Sequence, residues 1–215
     1  MADGKRPTGL VLWGSMLSRA SRVHWMLHEL ELDYACHPIG PRTGETQTPE
    51  FLALNPRGKI PVLQDGDLVL AESAAILNYL GEKYGPETGL VPAAGTLERA
   101  RYDEWCFYAV AELDAHTLYV IRKHRDLVHL YGEAPNAIKT AQKGFANQVQ
   151  HAERALADGR QWLLGSTFTA ADILLALCLD WARAYKQPLA PVLSAYADRA
   201  TAREAYRAAV EREWQ

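Results

Sequence analysis

The sequence predicts an α/β domain with element order βαβαββα, followed by an all-helical domain. Three observations predict it. Short apolar runs alternate with helix-period stripes as far as Pro86, an Asp65-Gly66 pair joins two strands with no helix between them, and only helical periodicity follows the Gly- and Pro-rich stretch from Gly85 to Gly95. The 215 residues are 48% hydrophobic and 23% charged, ample apolar material for a sizeable core.

The elements follow in order. Gly9 to Trp13 is a short apolar run stopped by Gly14, as in a buried strand. From Arg19 the period becomes helical, with Val23, Leu27 and Leu30 on one stripe that ends near Leu32. Tyr34 to Ile39 is a second strand. Thr48-Pro49-Glu50 opens a short helix with a capping hydroxyl, a proline at the first helical position and an acid against the positive helix end. Asn55-Pro56-Arg57-Gly58 closes it, and Val62-Leu63-Gln64 and Leu68-Val69-Leu70 then form a hairpin. After Glu72-Ser73, the stripe Ala75, Ile76, Tyr79 and Leu80 marks a helix that closes near Tyr84-Gly85-Pro86.

Beyond the linker, helices are expected over Thr96 to Leu130, Pro135 to Ala157 and Ala170 to Tyr185, with two shorter ones near the C-terminus. Phe168 to Ile173 carries a capping box, Thr169 with Asp172, and a hydrophobic staple, Phe168 with Ile173. The domains are therefore placed at 8–86 and 95–215.

Charge and cysteines exclude several functions. With 23 Lys and Arg against 26 Asp and Glu, the net charge of -3 lacks the basic footprint that nucleic acid or an anionic membrane surface requires. No apolar run approaches the roughly 20 residues that span a bilayer. The polar start, Met1 to Gly9, has no apolar leader core, so a cytoplasmic protein is expected. Cys36, Cys106 and Cys178 are widely spaced within apolar or aromatic stretches and are expected to be buried free thiols. No His/Cys cluster has metal-ligand spacing; His24 and His28, at i and i+4, read as a solvated helix flank. The basic run Arg122 to Arg125 reads as an exposed helical face.

Four segments together carry a resemblance: Ser18-Arg19-Ala20-Ser21-Arg22-Val23, Asn55 to Leu63, Glu72-Ser73-Ala74-Ala75-Ile76-Leu77, and Phe168 to Ile173. Over nearly the whole chain from Leu10, the sequence resembles the cytosolic glutathione S-transferases, in particular serine-type members like those of bacteria and fungi. The resemblance implies a thioredoxin-like first domain, a helical second domain, glutathione as co-substrate, a homodimer, and a cis bond before Pro61. It implies addition of the glutathione thiolate to small hydrophobic electrophiles, with reduction of hydroperoxides as a related activity. Because fold alone does not establish activity, a non-catalytic ligand-binding or interaction module is the alternative.

The residues support that reading chemically. With a cis bond before Pro61, the Ile60 backbone turns outward and can pair with the cysteinyl part of glutathione as an added strand. Glu72 and Ser73 open a helix, where unpaired N–H groups and the dipole attract anions; Ser73 suits the γ-glutamyl carboxylate and Glu72 the ammonium. Lys59 suits the cysteinyl or glycyl end. By resemblance, Asp103 matches an acidic residue that reaches the neighbouring subunit's glutathione.

Thioredoxin-like folds place reactive sulfur at the first strand-to-helix junction. Here Ser18-Arg19-Ala20-Ser21 puts hydroxyls at the CxxC-like spacing, so disulfide exchange has no protein thiol to use there. A hydroxyl at that position can instead donate to the glutathione thiolate and stabilise its charge. Ser18 is the choice by its place in the pattern; Ser15 and Ser21 remain open, and Arg19 adds positive field. The second substrate is expected between the domains against the first long helix, near Tyr108, Val110 and Asp114.

Overall fold

The computed structural model describes residues 8–212. Residues 1–7, most of the polar start at Met1 to Gly9 on which the expected lack of a leader rests, lie outside them, as do the last three residues of the expected second domain. The described chain folds into two compact units. The first runs up to Val91 and resumes at Ala202; the second is Pro92–Thr201.

In the first unit β1 (Leu10–Trp13), α1 (Ser21–Glu29), β2 (Ala35–His37), α2 (Pro49–Leu54), β3 (Val62–Asp65), β4 (Leu68–Ala71) and α3 (Ser73–Tyr84) follow the expected βαβαββα order. The sheet order is β2-β1-β3-β4, with β1 parallel to β2 and antiparallel to β3. The Asp65-Gly66 hairpin pairs Val62 with Ala71 and Asp65 with Leu68. Leu10, Leu12 and Leu63 point into a core closed by Val23, Met26 and Leu27 of α1 and Ile76, Leu77 and Leu80 of α3. Thr48 caps α2 as its sequence specifies, accepting from the Phe51 N–H at 3.2 Å, a contact worth about 1 kcal/mol.

Three features differ from expectation. Helix α1 begins at Ser21, because residues 16–20 make tight turns first. Every α1 residue from Ser21 to His28 is buried, including His24 and His28, so the expected solvated flank is a core face. The cover comes from α10 (Glu204–Arg212), which packs on α1. Tyr206 lies 4.7 Å from Trp25, ring centre to ring centre, and Arg203 meets the Glu29 carboxylate through two bonds of 2.6 and 2.7 Å. The last helix, expected within a second domain at 95–215, thus belongs to the first unit.

The second unit is helical: α4 (Leu97–Phe107), α5 (Tyr119–Arg125), α6 (Val128–Tyr131), α7 (Pro135–Leu156), α8 (Ala170–Ala184) and α9 (Pro191–Thr201). The stretch expected as one helix from Thr96 to Leu130 is interrupted twice. Tyr108–Leu118 is wound as a π-helix, and Asp126 caps the end of α5. Asp172 secures the start of α8: it accepts from the Thr169 and Leu163 N–H groups at 2.8 and 2.9 Å and from the Tyr196 hydroxyl at 2.6 Å. All three cysteines are free; Cys106 and Cys178 are buried as expected, whereas Cys36 is half-exposed. Burial pushes the Cys106 thiol up to about 12, which leaves it protonated and inert.

Candidate active site

Three segments of the first unit come together beyond the end of β1: two meet at Gly14, and the start of α3 is tied to them by Arg22 with Ser73 and by Arg57 with Glu72. At Gly14 the φ of +132° suits glycine, and a Cβ there would stand 2.8 Å from the Ala20 Cβ and 3.2 Å from the Ile60 Cβ. The serine turn and the loop before β3 therefore approach each other across a position where no side chain fits.

The first segment is the turn from Gly14 to α1. The Ser15 N–H donates to the Ile39 carbonyl at 3.0 Å. The Ser18 hydroxyl donates to the Ser15 carbonyl at 2.7 Å and accepts from the Ala20 N–H at 3.1 Å, so Ser18 holds the turn together. The Ser15 side chain, in a residue 8% exposed, makes no hydrogen bond to another described residue. Ser21 is buried at the first position of α1, and Arg19 is half-buried.

The second segment is the loop into β3. The Ile60–Pro61 bond is cis, as the resemblance implies. Asn55 braces the loop by donating from Nδ2 to the Lys59 carbonyl at 2.8 Å. The ladder of β3 starts only at Val62, so the Ile60 backbone lies outside it, and Lys59 is exposed.

The third segment is the start of α3. Glu72 adopts φ +72°, ψ +110°, a conformation costing a non-glycine residue about 1–3 kcal/mol and typical of positions clamped for a ligand. Its carboxylate pairs with Arg57 at 2.8 Å, which ties the β3 loop to the α3 start. Ser73 is buried, and its hydroxyl accepts from Arg22 Nη1 at 3.1 Å. Arg22 is 3% exposed. A buried guanidinium at a helix N-terminus makes this corner strongly favourable to a carboxylate.

The sequence offers no role for Arg22 or Arg57, and its pattern gives His24 as a solvated flank. Arg22 and His24 do form a polar stripe on α1 beside the apolar one, but their partners, Ser73 for Arg22 and Tyr34 with the Gly14 carbonyl for His24, lie on other elements, and Arg57 meets Glu72 only across the loop before β3.

The residues expected near a second substrate all fall in the π-helical stretch of the second unit. The Tyr108 hydroxyl donates to the Gln148 carbonyl at 2.7 Å, and its ring stands edge-on to Trp105 and His151. Burial raises the Tyr108 pKa further. Asp114 is buried and Val110 half-buried. The Asp114 carbonyl accepts from the Tyr119 N–H five residues on, the mark of the wider helix, which recurs at functional sites. Asp103 pairs with Arg99 at 3.0 Å. Among the described residues no group of three His, Cys, Asp or Glu side chains is arranged to hold a metal ion.

Fold and site together define a thioredoxin-like protein with a helical second unit and a serine turn where a redox relative would carry cysteine. Comparison with known proteins makes this specific. The family described as glutathione S-transferase, N-terminal domain, matches residues 8–82, and the glutathione S-transferase C-terminal domain matches residues 112–211. Glutathione S-transferase 3 of Zea mays is 38% identical over 78% of this chain and 76% of its own length. A glutathione transferase structure from Methylococcus capsulatus is 30% identical with a TM-score of 0.81, covering 95% of this chain and 98% of that one. A theta class glutathione S-transferase from Xanthomonas axonopodis, solved with glutathione bound, is 28% identical with a TM-score of 0.78, covering 94% and 97%. The chain belongs to the glutathione S-transferase family.

Proposed function

We propose that this protein is a glutathione transferase that activates the glutathione thiol with a serine hydroxyl of the turn after β1. The observation that carries this reading is the joining of three segments: an open Ile60 backbone that meets the serine turn at Gly14, hydroxyls on that turn, and a carboxylate-favouring corner where Arg22 of α1 reaches Ser73. The tripeptide lies with its cysteinyl part along Ile60 and Pro61, its γ-glutamyl carboxylate at Ser73, its ammonium at Glu72 and its glycyl end toward Lys59. No protein thiol is needed. Lowering a thiol pKa from about 8.5 to about 6.5 requires roughly 2.7 kcal/mol. One hydrogen bond to the thiolate, at about 1.5–3 kcal/mol, and a helix end, at about 0.3–1, supply it.

The hydrogen bonds of the turn divide its labour. Before its proton can reach a sulfur, Ser18 must give up its bond to the Ser15 carbonyl. The Ser15 hydroxyl has no such commitment among the described residues. In this reading Ser15 is the donor and Ser18 fixes the turn that presents it; Ser21 and Arg19 flank them. The second substrate is a small hydrophobic electrophile received along the π-helical stretch at Tyr108, Val110 and Asp114. Family membership supports a cytoplasmic homodimer acting in detoxification, with Asp103 reaching the partner's glutathione and hydroperoxide reduction as a side activity. No observation favours a non-catalytic module over this reading. The test is turnover across a panel of electrophiles and hydroperoxides with protein retained on immobilised glutathione; binding without turnover on any of them refutes the enzyme.

A further inference from the structure

We infer that His24 is a positioning residue for the thiol-activating turn, holding the Gly14–Ser15 peptide at the end of a relay that runs back through Tyr34 to Arg212 of α10. The inference rests on the proposed role of Ser15 and adds to it what sets that residue's direction.

His24 Nε2 lies 2.9 Å from the Gly14 carbonyl, and Nδ1 lies 2.8 Å from the Tyr34 hydroxyl. A carbonyl only accepts, so Nε2 carries the proton and Nδ1 accepts from Tyr34. One ring orientation and one tautomer satisfy both contacts. His24 is 3% exposed, and burial, ahead of the positive charge of Arg212, holds its pKa below the usual histidine range, so the neutral ring that this pattern needs is the stable one. Tyr34 is fixed in turn: the Arg212 guanidinium stacks 4.0 Å from its ring centre and donates to its carbonyl.

The relay ends on a peptide plane held at both edges. His24 takes its oxygen, and the Ile39 carbonyl takes its N–H, the amide of Ser15, at 3.0 Å. Fixing both edges fixes the rotation of that plane and hence the direction in which the Ser15 Cα–Cβ bond leaves it. The next carbonyl, that of Ser15, holds the Ser18 hydroxyl. A donor aimed at a sulfur is sensitive to such rotation, because a hydrogen bond weakens steeply once its angle falls towards 120°.

The experiment compares His24→Asn, His24→Gln and Ser15→Ala in the full chain. Thiolate absorbance gives the pKa of bound glutathione, steady-state conjugation gives kcat and KM, and thermal melting checks the fold. Gln places an N–H near the position of Nε2, whereas the shorter Asn does not reach Gly14. His24→Asn is expected to raise the thiol pKa by about one unit and to lower kcat at pH 6.5 roughly fivefold, with KM for glutathione changed less than about twofold. His24→Gln is expected to restore most of both. An unmoved pKa in His24→Asn, or equal displacement in Asn and Gln, overturns the relay. If Ser15→Ala leaves the pKa unmoved while His24→Asn raises it, the assignment of Ser15 fails and the relay stands, acting on Ser18 through the Ser15 carbonyl. Tyr34→Phe keeps the ring against Arg212 and removes only the hydroxyl, which covers the case of a His24→Asn protein that does not fold. It is expected to raise the pKa by about half a unit, and an unmoved value there overturns the relay.

Discussion

Replacing Ser15 and Ser18 separately by alanine separates activation from architecture, because the turn gives the two hydroxyls different partners. Ser18→Ala removes two neutral hydrogen bonds, to the Ser15 carbonyl and from the Ala20 N–H. At about 1 kcal/mol each, the stability loss is about 2 kcal/mol, and for a chain of this size the melting temperature falls by roughly 4–8 °C. Ser15→Ala removes no internal bond to a described residue, so melting is expected to move by less than about 2 °C. It takes away the donor to a thiolate, however, a bond of about 1.5–3 kcal/mol, equivalent to roughly one to two pKa units. Titrating the thiolate absorbance of bound glutathione should therefore show the large shift in Ser15→Ala, with conjugation at pH 6.5 reduced about fivefold or more, and melting curves should show the large shift in Ser18→Ala. The opposite pattern, an unmoved thiol pKa in Ser15→Ala and a raised one in Ser18→Ala, returns the donor role to Ser18 and refutes the reasoning from the turn's hydrogen bonds.

Ser73→Ala removes one polar partner of the γ-glutamyl carboxylate and is expected to weaken glutathione binding about tenfold by calorimetry, with kcat largely kept at saturation; unchanged affinity places that carboxylate elsewhere. Gly14→Ala sets a Cβ 2.8 Å from the Ala20 Cβ on a backbone with φ of +132°, so a stability loss of about 2 kcal/mol or more in urea melts is expected, with glutathione binding impaired alongside it. His24 has a folded pKa depressed below its unfolded value of about 6.5, so its contribution is present above that pH and is lost as pH falls toward the folded pKa. Urea midpoints should fall below about pH 6.5, and His24→Gln should flatten that decline. Arg203→Ala leaves the Glu29 carboxylate, whose side chain is 7% exposed, with the Trp25 indole N–H in place of a bidentate ion pair; a loss of about 2–3 kcal/mol is expected in chemical denaturation.

The parts of the fold legible in the sequence are those fixed by neighbouring residues. Asp65-Gly66 supplies its own turn, Thr48 its own cap, and Thr169 with Asp172 the start of α8, so hairpin and helix starts fall where local chemistry places them. The binding corner was legible for a related reason: Ile60-Pro61 and Glu72-Ser73 combine a loop and a helix start whose backbone groups are usable wherever the chain runs. What stayed hidden depends on residues far apart in sequence. His24 and His28 look solvated until α10 covers them, and Arg22 looks like a surface charge until Ser73 arrives beside it. The π-helical winding of Tyr108–Leu118 was hidden differently, since its apolar residues satisfy a 3.6-residue repeat well enough to pass for an ordinary helix. The preference for Ser15 over Ser18 needed the direction of individual hydroxyls, which no spacing encodes.

The return of α10 to α1 also sets a schedule for biosynthesis. Arg203 closes on Glu29 across 174 positions of chain, and at about 5–20 residues per second a ribosome takes on the order of ten to thirty seconds to deliver the second partner after the first. For that interval the nascent first unit presents Trp25 and the flank of His28 to water. The α1 flank therefore stays uncovered until α10 has been made, and the clamp on Tyr34 forms only once Arg212 has been added.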